Sequence, residues 1–296
     1  MSIELPPTRT VDLDGPIVYR TWDGPPDTTF VLVHGLGGSH LNWLQVGSGL
    51  SGLGRVLALD LPGFGRSPAV GRGTRVMDLR RSLARFVDDA GSGRIIVIGN
   101  SMGGLIASVH AAVEPERVDG LVLSASVFPW TRGGLPHPAV LAAFSVYGLD
   151  GVGERVVRAR RRSMSPETFV RLGLRLLASD PGSIPEEVIR LQVELLRETR
   201  DDPEQPKNFI EAARSIATYV RTPSLGIRTL GGIRCPVLVI HGRRDRFVPP
   251  RFAEAALVTY PSWRGRILPG VGHVPQMEVP GRWLGEVADW YAAVLR

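Results

Sequence analysis

Four β-branched residues, Ile95-Ile96-Val97-Ile98, stop at Gly99, and a helical pattern opens at Met102. A buried strand that turns into a helix within three residues is the feature that most restricts how this chain folds. It recurs in looser form along the sequence. Phe30-Val31-Leu32-Val33 is a strand ending at His34-Gly35, and Val56-Leu57-Ala58-Leu59 is one ending at Asp60. Arg75 to Ala90 reads as a helix with Val76, Leu79, Leu83, Phe86 and Val87 on one face, and Met102 to Val113 as a second helix. Leu121-Val122-Leu123 is a fourth strand. Strands that alternate with helices, each strand continuously apolar, predict an α/β fold with a mostly parallel sheet covered on both faces.

From Phe128 to about Gly232 no strand pattern is visible. Arg-rich amphipathic stretches occupy Glu154–Arg162, Thr168–Ala178 and Glu186–Arg200, separated by Pro and Gly breaks. The alternation then resumes. Pro236 to Ile240 reads as a strand ending at His241-Gly242, Arg251 to Thr259 as a helix, Arg266-Ile267-Leu268 as a strand and Arg282 to Leu295 as a closing helix. The expected organisation is a core of residues 1–130 and 232–296, with a helical cap inserted at 131–231.

At 296 residues the chain is nearly twice a usual domain of roughly 150, enough for one large core and a lid. Its single cysteine, Cys235, excludes a disulfide framework and a Cys-rich zinc site. The longest uncharged stretch, Thr28 to Gly54, is too rich in glycine and polar residues to span a membrane. No secretory leader is read at the N-terminus, where Glu4, Arg9, Asp12 and Asp14 interrupt any apolar run. A cytoplasmic location is expected. The net charge of +6 rests on arginine almost alone, Lys207 being the one lysine. A GC-rich coding sequence produces that bias, and no base-reading module accompanies it, so no nucleic-acid partner is expected.

The chemistry concentrates in Gly99-Asn100-Ser101-Met102-Gly103, a G-x-S-x-G set between strand and helix. A sharp turn there lifts the serine hydroxyl clear of the sheet, and small flanking residues avoid clashes. The helix N-terminus favours negative charge developing beside it. A serine hydroxyl needs a base, and the base an orienting acid. Of six histidines, only His137, His241 and His273 follow Ser101 outside its own helix. His273 lies in the glycine-rich loop after the last strand and is the expected base. His241 sits at a buried strand end, a structural position, and His137 lies between prolines in the insertion. Asp245, a short loop beyond the penultimate strand, is the expected acid. Backbone N–H groups of Met102 and Leu36 are the expected oxyanion donors. The Gly35–Gly38 loop lacks the Lys-Ser/Thr and spacing of a phosphate-binding loop. No metal-ligand spacing and no cofactor motif is found.

These pieces together resemble the α/β-hydrolase superfamily, in its subgroup with a helical cap. The resemblance rests on His34–Gly38, Asp60-Leu61-Pro62-Gly63-Phe64-Gly65-Arg66-Ser67, Gly99–Gly104, the Gly242/Asp245/Pro249 loop and Gly272-His273. It covers about residues 15–130 and 232–296, and it implies a Ser101–His273–Asp245 triad with Leu36 and Met102 as oxyanion donors. In that family the Asp60–Ser67 stretch is a structural turn. The strand ending at Leu123 is another place for the acid, but Ser124-Ala125-Ser126 offers no carboxylate. Dehalogenases and epoxide hydrolases of the fold carry Asp where this chain has Ser101.

The expected function is hydrolysis of a carboxylic ester or thioester, with a small, largely apolar acyl substrate, through an acyl-enzyme. The elbow is also similar to that of meta-cleavage-product hydrolases, which split C–C bonds. Those commonly carry Trp after the histidine, where this chain has Val274, and they use a cap arginine for the substrate carboxylate. Arg158, Arg160, Arg161, Arg162, Arg171, Arg175 and Arg190 are all available for that role. The Arg160–Arg162 run is read by default as a solvated helix face. A binding protein that kept the fold and lost turnover is the third reading, opposed by a full set of triad residues. Trp43, Phe128, Trp130 and Met277 are candidate pocket residues because they lie near the motif loops.

Overall fold

The computed structural model describes residues 5–91, 93–129 and 136–294. Eight strands form one sheet: β1 (Thr8–Asp12), β2 (Pro16–Trp22), β3 (Thr28–Val33), β4 (Arg55–Leu59), β5 (Arg94–Asn100), β6 (Gly120–Ser124), β7 (Val237–Gly242) and β8 (Arg264–Leu268). Their order is β1-β2-β4-β3-β5-β6-β7-β8. From β4 to β8 every neighbouring pair is parallel, while β1 and β2 pair antiparallel at one edge. This is the expected mostly parallel α/β sheet.

The core helices are α1 (Leu44–Ser51), α2 (Val76–Asp89) and α3 (Met102–Val113). Between β6 and β7 run α4 (Pro138–Gly148), α5 (Val152–Ser163), α6 (Pro166–Leu177), α7 (Glu186–Thr199), α8 (Gln205–Arg221) and α9 (Pro223–Gly231). Helix α10 (Pro250–Thr259), the single turn α11 (Pro275–Glu278) and α12 (Pro280–Val294) complete the chain. Among the described residues, no helix is long and apolar enough to cross a membrane.

Strand side chains alternate between two core layers, as a period of two requires. Val31, Val33, Val97, Leu121, Leu123 and Val239 meet α2, α3 and α10 on one face. Phe30, Leu32, Ile96, Ile98, Val122 and Ile240 meet α1 and α12 on the other. Both faces of the central strands are buried, so their sequences read as unbroken apolar runs. A third, smaller cluster joins Leu174, Ala178, Ile184, Val188, Ile189 and Val193 of the inserted helices to Val274 and Met277.

Register decides where the chemistry gathers. Val33 pairs with Gly99, Asn100 with Ser124, and Gly242 with Leu268. The loops leaving β3, β5, β7 and β8 therefore emerge together at the carboxyl end of the sheet, where ligands of open α/β sheets bind.

Candidate active site

The backbone at Ser101 adopts φ 55° and ψ −117°. That conformation costs a non-glycine residue roughly 1–3 kcal/mol. It is held because β5 and α3 pack directly behind it. A Cβ at Gly103 would collide with the Val33 and His34 carbonyl oxygens, and one at Gly99 with the Gly103–Gly104 backbone. The two flanking glycines thus set how closely α3 approaches the sheet. Ser101 stays partly exposed, while Asn100 and Met102 on either side are buried.

His273 Nε2 lies 2.9 Å from Ser101 Oγ, and His273 Nδ1 lies 2.7 Å from Asp245 Oδ2. The loop after β8 and the loop after β7 supply these two side chains. Asp245 Oδ1 accepts the N–H groups of Phe247 and Val248, at 2.8 and 2.9 Å. His241 is fully buried. Its Nε2 sits 2.8 Å from the Val248 carbonyl and 3.1 Å from Asp245 Oδ2. Both neighbours are acceptors, so Nε2 carries the proton. Burial pushes the Asp245 carboxyl up, but His273 and the hydrogen bonds from His241 and His273 outweigh it, and the pKa falls below the usual carboxylate range. The acid therefore stays ionised and holds His273 with Nδ1 protonated and Nε2 free to accept.

The loop after β3 faces the serine. A Cβ at Gly35 would sit 3.1 Å from Ser101 Cβ. His34 Nε2 accepts the Leu61 N–H at 3.0 Å, which leaves Nδ1 protonated to donate to the Gly35 carbonyl at 2.7 Å. That carbonyl also accepts from Gly38 N–H at 3.0 Å. Fixing the Gly35 carbonyl fixes the opposed Leu36 N–H of the same peptide. Among the described residues, neither the Leu36 nor the Met102 N–H has a hydrogen-bond partner. Behind this loop, buried Asp60 receives His40 N–H, His40 Nδ1–H and Arg66 N–H. It is thus a structural anchor, as its family turn implies.

A profile of the alpha/beta hydrolase fold matches residues 28–280. The chain belongs to the α/β-hydrolase fold family. It is 30% identical over 255 residues to a 2-hydroxy-6-oxononadienedioate/2-hydroxy-6-oxononatrienedioate hydrolase of Cupriavidus pinatubonensis, covering 84% of this chain and 82% of that one. It is 29% identical over 272 residues to a dihydrolipoyllysine-residue acetyltransferase component of an acetoin cleaving system from Cupriavidus necator, covering 90% of this chain and 64% of that one. A solved thermophilic esterase from Thermogutta terrifontis superposes with TM-score 0.70 at 24% identity, covering 98% of this chain and all of that one. At these identities the superposition speaks for the fold.

Other expectations of this α/β-hydrolase sequence fare differently. Trp43 is fully buried against Trp283, ring centroids 6.1 Å apart, in the core layer beneath α1 and α12. It packs the core and does not line a pocket. Phe128 is buried beside His241, and Met277 is buried in the inserted-helix cluster, where its sulfur meets Asn42 Nδ2 at 3.7 Å. Met277 packs in that cluster, while Phe128 also lines a small cavity with Leu105, Tyr219 and Leu230. Trp130 lies outside the described residues. Two aromatic side chains with no role expected from sequence lie at these loops. Phe247 stacks on His273, and the Phe209 ring of α8 would meet a Cβ at Gly37 at 3.2 Å. Asn100 Nδ2–H bonds to the Ser124 and His273 carbonyls, at 2.9 and 3.2 Å. Asn100 lies inside the serine motif, which is the one signal that pointed to it. For Phe209, over a hundred residues away from the serine, no sequence signal exists.

Proposed function

We propose that this protein is a serine hydrolase that cleaves a carboxylic ester, or a thioester, of a largely apolar acyl group. The hydrogen-bonded chain Ser101 Oγ, His273, Asp245 carries this reading. His273 Nε2 takes the Ser101 proton as Oγ attacks the carbonyl carbon. Leu36 and Met102 N–H groups receive the oxyanion. Asp245 stabilises the imidazolium, which then protonates the leaving alcohol or thiol. Water, deprotonated by His273, releases the acid from the acyl-enzyme. Residues 131–231 act as a cap over this site. Leu36, Phe209 and Phe247, all partly buried, give the entrance an apolar wall that suits an acyl chain. The single thiol, Cys235, fits action in the cytoplasm.

A second reading, C–C hydrolysis of a ring-fission diketone by the same residues, is supported by the hydrolase names of the relatives near 30% identity. Such dioate substrates need a cation for each carboxylate. Of the seven candidate arginines of the insertion, five are engaged elsewhere, and among the described residues Arg162 and Arg175 have no such partner. Arg171 pairs with Glu167 and Glu186, and Arg190 with Glu187 and Glu194. Arg158 and Arg161 donate to the Pro203 and Thr199 carbonyls, and Arg160 lies over Phe169. Rates on p-nitrophenyl esters of graded acyl length and on one meta-cleavage diketone, each against Ser101→Ala, decide between the two. Diketone turnover far above every ester would replace the ester reading.

A further inference from the structure

Glu278, in the turn that follows His273, is a buried carboxylate, 6% exposed, with no cationic partner among the described residues. Its two oxygens are satisfied by main-chain donors alone. Oε1 accepts Gly272 N–H at 2.9 Å, in the histidine loop. Oε2 accepts Ser179 N–H at 2.8 Å and Asp180 N–H at 3.3 Å, in the segment that leaves α6. Between them, His273 N–H donates to the Leu177 carbonyl at 2.8 Å. The two segments touch so closely that a Cβ at Gly272 would lie 2.5 Å from Leu177 O and 2.7 Å from Ser179 N. On the apolar side, Val274 and Met277 are packed into the α6–α7 cluster.

A carboxylate buried without a cation is costly, and an apolar side chain or an amide would tie two loops at less expense. The carboxylate geometry offers what those lack: acceptors on both oxygens, aimed at two separate strands of backbone. We propose that Glu278 is a positioning residue that sets the His273 loop against the inserted helices, so that the alignment of the base depends on the seating of the α6–α7 pair. The proposal rests on the triad reading above. The base is then aligned only while the 177–180 segment is docked, and the cap is part of the catalytic machinery as well as the substrate wall.

Burial pushes the Glu278 carboxyl up, the N–H bonds from Ser179, Asp180, Gly272 and Val274 opposing it.

The test is Glu278→Gln in the full-length protein, read by ester kcat and KM, by the rate at which a fluorophosphonate labels Ser101, and by melting temperature. Gln keeps one acceptor and turns an amide N–H toward donors. A misalignment of the base of well under 1 Å predicts kcat and labelling both down about tenfold with KM within twofold. Ser179→Pro is the second variant. Ala178 is already extended at ψ 146°, as a residue before proline prefers. It removes one N–H and leaves the carboxylate. It should slow both rates severalfold alone and add nothing in the Glu278→Gln background. A folded Glu278→Gln or Ser179→Pro protein with both rates within twofold of wild type overturns the proposal. Ser101→Ala and His273→Ala run alongside: turnover that survives them overturns the triad reading itself, which the Glu278 variants alone would not.

Discussion

The Phe247 ring lies nearly flat on the His273 imidazole, centroids 5.2 Å apart and planes 25° apart. The same residue's N–H donates to Asp245 Oδ1. One short loop after β7 therefore supplies the proposed acid, seats it and covers the proposed base.

An aromatic pair of this kind contributes about 0.5–1.5 kcal/mol beyond its area, and the imidazolium formed during reaction is better held by a ring face than neutral imidazole is. Phe247→Ala should lower kcat about three- to tenfold on esters too small to touch the ring. Steady-state kinetics on an acetyl ester checks this. An unchanged kcat would mean the ring serves only as a wall.

Asp245→Asn tests the acid through both rate and stability. Without the carboxylate, His273 loses the acceptor that holds its Nδ1 proton, and kcat should fall on the order of 10³–10⁴-fold. The stability effect has a defined pH window. Asp245 has a folded-state pKa below its unfolded value. Its contribution is complete above the unfolded value of about 3.9 and is lost as pH falls through the folded value. The melting temperatures of wild type and variant should differ most at neutral pH and converge below about pH 4. An equal gap at pH 3 and pH 7 would sink the assignment.

Strain at Ser101 gives a prediction in the opposite direction. With φ at 55°, a glycine adopts this turn freely and an alanine does not. Ser101→Gly and Ser101→Ala should both be inactive, yet the glycine variant should be more stable than the alanine variant by about 1 kcal/mol, strain relief exceeding the entropy that glycine loses. Chemical denaturation of the two variants settles the sign.

What could be read from sequence divides by range. Ser101, Asp245 and His273 each follow a buried apolar run by a short loop, so local pattern places them at strand ends and parallel pairing brings the ends together. Strands β1 and β2 are hard to read because β1 is mostly exposed and β2 is buried irregularly, so neither shows clean alternation. Helix α4 is illegible because it is apolar nearly all round, so no stripe stands out along it. The proposed pocket walls are illegible for a different reason. Phe209 meets Gly37 only once α8 is laid across the β3 loop, and Trp43, five residues beyond Gly38, turns inward to Trp283. Nearness along the chain to a motif holds for Phe247, two residues past Asp245, and fails for Trp43.

That contrast yields the last prediction. Trp43 is fully buried, and its loss leaves a large cavity between α1 and α12. Trp43→Ala should cost about 3–5 kcal/mol of stability, while the order of preference among acyl lengths in the surviving folded protein stays as in wild type. Phe209 is half-buried, braced edge-on by Tyr147 with centroids 5.5 Å apart. Truncating it empties space directly over Gly37 without opening the sheet core. Phe209→Ala should therefore leave melting within a few degrees of wild type and move the acyl-length optimum of kcat/KM toward longer chains. The p-nitrophenyl ester series measures both variants at once. A shifted optimum in Trp43→Ala with none in Phe209→Ala would reverse which of the two faces the substrate.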